Sequence, residues 1–161
     1  MDTVDKIIAQ WAKEKPELNT CPMGVMGRLA RLTKYLEKEI AAVHETYGLK
    51  LGEFDVLVTL LRSGPPYQLT PSELMNSVML TSGAMTNRLD KLEQKHFIVR
   101  THSQIDRRSI SVQLTNSGYT LINQALADHV KTQEKLSKSL SIEQQHELSD
   151  LLRIWLTAFN L

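Results

Sequence analysis

Residues 69–114 read LTPSELMNSVMLTSGAMTNRLDKLEQKHFIVRTHSQIDRRSISVQL, and this stretch decides the fold. Its segment Thr70-Pro71-Ser72-Glu73 has a hydroxyl cap, a proline at the first helical position and a carboxylate that can return to the cap, which predicts a helix start. A second helix is expected to begin with Thr81 or Ser82 as its cap. Two helices followed by a hydrophobic hairpin predict a winged helix-turn-helix, a fold that places its second helix in the major groove of DNA.

The second helix of this stretch has two faces of different chemistry. Met85, Leu89 and Leu92 recur at i, i+4 and i+7, which predicts one buried stripe. Short hydrogen-bonding groups and one long cation occupy the other side, as suits a helix lying against base edges and phosphates. An ordinary solvated helix face is the alternative interpretation. With one serine from the first helix, the predicted DNA contacts here are Ser72, Ser82, Thr86, Asn87 and Lys91.

The hairpin carries two arginines at its tip. Residues 98–102 and 110–114 both look like strands, and the second alternates as a half-buried strand does. Asp106-Arg107-Arg108 lies between them. Paired cations at a ribbon tip suit the negative potential of a narrow minor groove. Asp106 can hold Arg108 by a charge-assisted bond, which makes Arg107 the expected phosphate contact. A solvated charged turn is the alternative.

Composition sets the class of protein. The chain has 161 residues, of which 42% are hydrophobic, enough for one compact domain. Its formal net charge of +1 means that any DNA-binding cations act locally. No apolar run is long enough for a bilayer, the first residues lack a signal-peptide pattern, and a single cysteine excludes an internal disulfide framework. We therefore expect one cytoplasmic domain over 1–161, mainly α-helical with a small β-wing.

Helical patterns fill the rest of the chain and predict a dimer. Helices are expected over 4–13, 23–47 and 51–61, then from the cap Thr115 to about residue 139, and again after the capping box at Ser141. The early and late helices carry more apolar surface than one small winged domain covers. We expect 1–50 and 115–161 to form a two-fold dimerisation region and 51–114 to bind DNA. Such a homodimer reads two half-sites of a palindromic operator, on the order of 34–36 Å apart. A compact monomer is the alternative.

Signals of catalysis are weak. The five histidines show no metal-ligand spacing with one another or with Cys21, and no glycine-rich phosphate loop is present. The sequence predicts no enzyme, no metal and no cofactor.

The motifs resemble a known family. Asp106-Arg107-Arg108, followed by Leu114-Thr115 and Gly118, is similar to the wing motif and the next helix start of the MarR family. The run of residues 10–19, Glu53-Phe54-Asp55 and the turn at 64–67 resemble its PecS-like, urate-responsive branch. The resemblance covers nearly the whole chain and implies a dimeric repressor.

That branch implies a ligand site. Its tryptophan, aspartate and arginine match Trp11, Asp55 and Arg88, and Ser63 lies in the region of a further polar residue. An indole stacks on a flat purine and a guanidinium pairs with an anion, so the implied effector is small, anionic and aromatic, such as urate or a related purine, with phenolic compounds next. Asp55 and Arg88 are expected to bond each other in the empty site. A core aromatic and a structural salt bridge are the alternative interpretations.

Two other functions stay open at this point. Some members of the family sense oxidants through a cysteine near the N-terminal dimer region, and Cys21 lies there. The fold also serves as a protein-interaction module whose basic tip meets an acidic partner. Binding to duplex DNA that weakens steeply with salt distinguishes a DNA reader from such a module.

Overall fold

The computed structural model describes residues 1–78, 82–102 and 110–159, apart from the side chains of Ser82, Gly83 and His102. It forms two compact units, Met1–Glu39 and Ile40–Leu161. None of the described helices has the length and apolarity needed to cross a membrane. The helices are α1 (Thr3–Glu14), α2 (Cys21–Thr46), α3 (Leu51–Arg62), α4 (Pro71–Val78), α5 (Ser82–Gln94), α6 (Asn116–Ser137) and α7 (Ile142–Thr157). The strands are β1 (Gln68–Leu69), β2 (Ile98–His102) and β3 (Ile110–Leu114).

The first unit contains α1 and the first part of α2. Asp2 caps α1 by accepting the backbone N–H groups of Val4 and Asp5 at 2.7 and 2.9 Å, and the Asp5 carboxylate accepts the Asp2 N–H at 2.7 Å. Arg28 of α2 donates to Asp2 at 2.8 Å, which ties the two helices together. Val4 is buried and lies beside Gly27 of α2. The helix expected over 4–13 is confirmed as Thr3–Glu14.

The second unit contains the winged helix-turn-helix. Its antiparallel sheet has the order β1-β3-β2, with Ile98 opposite Leu114 and Gln68 opposite Gln113. Helices α3, α4, α5 and α6 pack on the sheet around one apolar core. Its fully buried side chains include Leu57, Leu60, Leu74, Met85, Leu92, Ile98, Val112 and Ile122.

Local capping residues set the helix starts, as the sequence predicts. The Glu73 carboxylate accepts the Thr70 N–H at 2.7 Å at the start of α4. The Thr115 hydroxyl accepts the Gly118 N–H at 3.0 Å, and Ser141 forms the expected capping box with Gln144. The predicted helix bounds are confirmed to within about two residues at each described end.

Helix α7 has no buried residue, although its sequence is rich in apolar side chains. Leu151 and Ile154 are 59% and 69% exposed, and Phe159, just beyond the helix, is 64% exposed. A groove runs between α6 and α7, with Leu140 and Leu148 among its lining residues. The second unit therefore presents a large uncovered apolar face on α7.

Candidate nucleic-acid interface

Helix α5 divides into the two faces that its sequence predicts. Met85, Leu89 and Leu92 are 1%, 3% and 0% exposed and anchor the helix in the core. Thr86, Asn87 and Lys91 are exposed, and so is Ser72 on α4. The side chain of Ser82 and the whole of Thr81 lie outside the described residues. The buried stripe is confirmed, and it leaves a polar face available for a partner.

The wing has the strands that the sequence predicts. β2 and β3 pair over all five residues, and the hydroxyls of Thr101 and Ser111 hydrogen-bond across them at 2.7 Å. The tip that carries Asp106, Arg107 and Arg108 lies outside the described residues, so its contacts with DNA remain predictions.

An ion-pair cluster joins the wing to α5. Arg100 of β2 donates to Glu93 at 2.9 Å through Nε, and its Nη2 lies 2.7 Å from the Asp90 carboxylate. The hydrogen bond from Arg100 lowers the pKa of the Glu93 carboxyl below its ordinary value. No local pattern predicts this cluster, because Glu93 lies on α5 and Arg100 on β2, so their spacing along the chain implies no shared face.

A second ion pair joins the end of α5 to the start of α3. Lys95 donates to Glu53 and to the Gly48 carbonyl, each at 2.8 Å, and Glu53 also accepts the Lys50 N–H at 2.8 Å. Glu53 is only 2% exposed. Burial raises the pKa of its carboxyl, but the hydrogen bonds from Lys95 and Lys50 outweigh burial, so the pKa lies below its usual value. The helix is therefore tied to its neighbours on both sides.

Arg88 of α5 lies against the first turn of α3. A Cβ atom built on Gly52 would be 2.1 Å from Arg88 Cζ, which shows how closely the guanidinium approaches the backbone. Lys50, Asn87 and Lys91 line the same recess, which we call the α3–α5 notch. A face of α5 that bears cations therefore meets the N-terminal turn of α3.

Asp55 lies half-buried one turn further along α3. Burial raises the pKa of its carboxyl, while the charges of Arg88, His129 and Arg62 oppose that rise. The expected direct bond to Arg88 is not formed, since the charged atoms are farther apart than the 4.0 Å of an ion pair. The physical reason is that Arg88 lies over Gly52. The two charges act on each other through space.

His44 and His129 form a close pair near Asp55, although the sequence shows no motif for them. His44 Nε2 and His129 Nδ1 are 3.0 Å apart, and the His44 ring stacks on Phe54 with centroids at 3.8 Å. Burial and the neighbouring His129 lower the pKa of His44 to about 4. Burial also lowers the pKa of His129, against the effect of Asp55. These histidines are 85 residues apart in the chain, so no local motif signals the pair.

The remaining predicted site residues lie in the first unit. Trp11 is 40% exposed on α1, and the Cys21 thiol is exposed at the start of α2. In the part of the chain that the structure describes, no three His, Cys, Asp or Glu side chains are grouped so as to hold a metal ion.

Comparison with known proteins identifies the family. The MarR family model matches residues 49–110. The chain is 38% identical to the HTH-type transcriptional regulator PecS of Dickeya dadantii over 149 residues, which are 92% of this chain and 90% of PecS.

Solved structures share the fold. A mutant MarR from E. coli complexed with operator DNA is 23% identical, with a TM-score of 0.73 over 87% of this chain and 99% of that one. The organohalide-sensing regulator RdhR in its 2,4-dichlorophenol-bound form is 16% identical, with a TM-score of 0.78 over 90% of this chain and 84% of that one. These likenesses confirm the predicted winged helix-turn-helix with its flanking helices. The chain belongs to the MarR family and is a DNA-binding transcriptional regulator similar to PecS, not an enzyme.

Proposed function

We propose that this regulator is a homodimeric repressor that leaves a palindromic operator when a small anionic aromatic ligand binds. Urate or a related purine is the best candidate, and phenolic compounds come next. The observation that carries the proposal is the position of Arg88, because one guanidinium on the DNA-reading helix α5 lies on α3 near the half-buried Asp55.

The proposed DNA surface consists of the polar face of α5, the start of α4 and the wing tip. The exposure of Asn87 and Lys91 supports this assignment, since a base reader and a phosphate contact both have to be accessible. Amides pair well with adenine, and lysines neutralise phosphates. The complete proposed set is Ser72, Ser82, Thr86, Asn87, Lys91, Asp106, Arg107 and Arg108.

The proposed dimer follows from uncovered apolar surface. Soluble monomers rarely leave large contiguous apolar patches in water. Helix α7 exposes Leu151 and Ile154 by more than half, and it has no buried side chain of its own. Phe159, two residues beyond the helix, is 64% exposed as well. A second copy of the chain covers such a face in a two-fold arrangement, which sets two copies of α5 at a fixed spacing.

The proposed release mechanism uses the charges of Asp55 and Arg88. The positive charge of Arg88 favours the ionised form of Asp55, which burial disfavours. A ligand anion that pairs with Arg88 neutralises the positive charge that favours ionised Asp55, and it adds a negative charge near that carboxylate. The attraction between α3 and α5 then weakens, and α5 shifts from its DNA-reading position. Ligand and DNA thereby prefer different arrangements of one helix, as energetic coupling between two sites requires.

Trp11 supplies the aromatic part of the proposed response. Its indole is large enough to stack on a purine, and its 40% exposure leaves ring surface accessible. Trp11→Phe reduces the stacking area and is expected to weaken ligand affinity. Trp155→Phe makes the same change on α7 and is the matched control. Because α7 is the proposed dimer face, release is compared with each variant's own ligand-free operator affinity.

The test is a release titration. A duplex selected from random-sequence DNA on the wild-type protein serves as the operator, and fluorescence anisotropy follows its release by urate. Urate should release the wild type and the Trp155→Phe variant at similar concentrations, and Trp11→Phe only at higher ones. Wild-type protein that keeps its operator at millimolar urate would exclude urate as the effector. The same titration with 2,4-dichlorophenol then tests the phenolic class.

Redox sensing through Cys21 is the second candidate, and the exposure of its thiol favours it. Peroxide should then release the operator from the wild type but not from Cys21→Ser. Equal behaviour of the two proteins would exclude a role for this thiol.

A further inference from the structure

We propose that Gly52 is the positioning residue for Arg88: the absence of a side chain at this position of α3 lets the guanidinium lie against the helix backbone and fixes α5 for DNA reading and for ligand release. The part that concerns ligand release rests on the proposed function. The part that concerns α5 and DNA does not require a ligand.

A side chain at position 52 would collide with the guanidinium of Arg88 in its present position. A Cβ atom on Gly52 would lie 2.1 Å from Arg88 Cζ, 2.3 Å from Nε and 2.5 Å from Nη2. All three distances are well inside van der Waals contact, so even alanine displaces the guanidinium. Because that group ends a flexible side chain, the displacement moves Arg88 and leaves the backbone of α3 in place.

Backbone conformation does not explain a glycine here. The described glycines with positive φ are Gly48 and Gly64, whereas Gly52 belongs to α3. Glycine is a poor helix former, because it loses the most backbone entropy on folding. Alanine would favour the helix at this position if nothing lay above it. The close approach of Arg88 is the feature of this position that a side chain on residue 52 would disturb.

The position of Gly52 on α3 determines how close Arg88 lies to Asp55. Residues three apart share one face of a helix, so Gly52 and Asp55 are neighbours on the surface of α3. A guanidinium over Gly52 lies near Asp55 without forming an ion pair with it. This separation keeps Arg88 available to an incoming anion, whereas a direct bidentate pair would engage its donors. Gly52 thus sets the distance between Arg88 and Asp55, and the proposed pairing of Arg88 with a ligand anion depends on that distance.

Gly52→Ala tests the position of Arg88 apart from its charge. The arginine keeps its charge, but the new Cβ atom displaces its guanidinium from the backbone of α3. Gly27→Ala is the matched control, because its new Cβ meets Val4 at 3.4 and 3.6 Å, which is ordinary contact. Arg88→Ala and the double variant Gly52→Ala/Arg88→Ala complete a mutant cycle. Operator affinity is measured by anisotropy without ligand, and the Arg88 Nε–Hε resonance is followed by NMR and assigned by its loss in Arg88→Ala.

We expect Gly52→Ala to shift the Arg88 resonance and to weaken operator binding by about tenfold, within the range of couplings between contacting residues. Gly27→Ala should change neither. In the Arg88→Ala background, Gly52→Ala should change operator affinity by less than about twofold, because the colliding group is gone. In the urate titration, Gly52→Ala should require about tenfold more ligand, as expected for a coupling of this size.

Two results would overturn the inference. The first is an unshifted Arg88 resonance with wild-type operator affinity in Gly52→Ala. The second is an equal loss of affinity with and without Arg88, which would indicate a general effect on α3. If urate fails to release the wild type, the proposed effector is wrong, while the ligand-free cycle still decides the role of Gly52.

Discussion

The buried histidine pair predicts a specific loss of stability in mild acid. His44 is fully buried, and its pKa is lowered from 6.5 to about 4. The unfolded chain binds a proton at His44 below about pH 6.5, whereas the folded chain resists protonation until about pH 4. Folding stability is therefore complete above pH 6.5 and falls as the pH decreases toward 4. His129, whose pKa is also lowered, adds a loss of the same sign.

The size of the effect follows from the two pKa values of His44. Full titration of this one group corresponds to about 3 kcal/mol, of which about 2 kcal/mol is lost between about pH 7.5 and about pH 5. The perturbation is His44→Gln, which keeps a hydrogen-bonding side chain beside His129 but does not titrate. The stacking on Phe54 is lost as well, so only the change with pH within each variant is compared.

The assay is urea unfolding at the two pH values and at one fixed protein concentration, because a dimer's stability depends on concentration. Wild-type protein and the control His146→Gln, whose histidine is exposed on α7, should show the same loss. His44→Gln should lose about 2 kcal/mol less on acidification. Asp55 acts in the opposite direction, since its pKa is raised, and it is present in all three proteins. An equal loss in His44→Gln and the wild type would refute the assignment of the acid sensitivity to His44.

Three further predictions concern DNA and ligand. Arg108→Ala should weaken duplex binding and reduce the salt slope by roughly one unit, because the wing tip loses one cation from the negative potential of the groove, measured by anisotropy over a salt series. Unchanged affinity at matched salt would remove the wing tip from the interface. Asn87→Ala should lose about 1–3 kcal/mol of discrimination between operator and random DNA, while non-specific binding persists. Equal losses for both duplexes would show that Asn87 reads no base. Asp55→Asn keeps the shape but removes the charge, so urate should still quench protein fluorescence while operator release fades. Release at the wild-type concentration would contradict the repulsion mechanism.

The sequence alone determined the elements whose causes are local. Thr70 with Glu73, Thr115 with Gly118 and Ser141 with Gln144 are each within three residues, so the chain itself carries the signal for a helix start. The alternation of β3 and the stripe on α5 are also local, because one buried face imposes a period of two or about 3.6 residues. The winged helix-turn-helix and the family resemblance followed from these patterns.

The short strand β1 could not be predicted from local patterns. Its two residues, Gln68 and Leu69, are too few to show alternation, and they are a strand only because β3 offers them an edge with free hydrogen-bonding groups. No local signal at these positions predicts that partner.

The candidate site depended on tertiary structure for the same reason. Trp11, Asp55 and Arg88 came from a resemblance, and their spacing alone gives no geometry. Only the packing of α5 on α3 decided that Arg88 lies over Gly52, and only the packing of α6 beside α2 decided that His129 meets His44. Burial, electrostatic interaction and steric exclusion depend on distances through space, and residues 36 or 85 positions apart acquire those distances when the core forms.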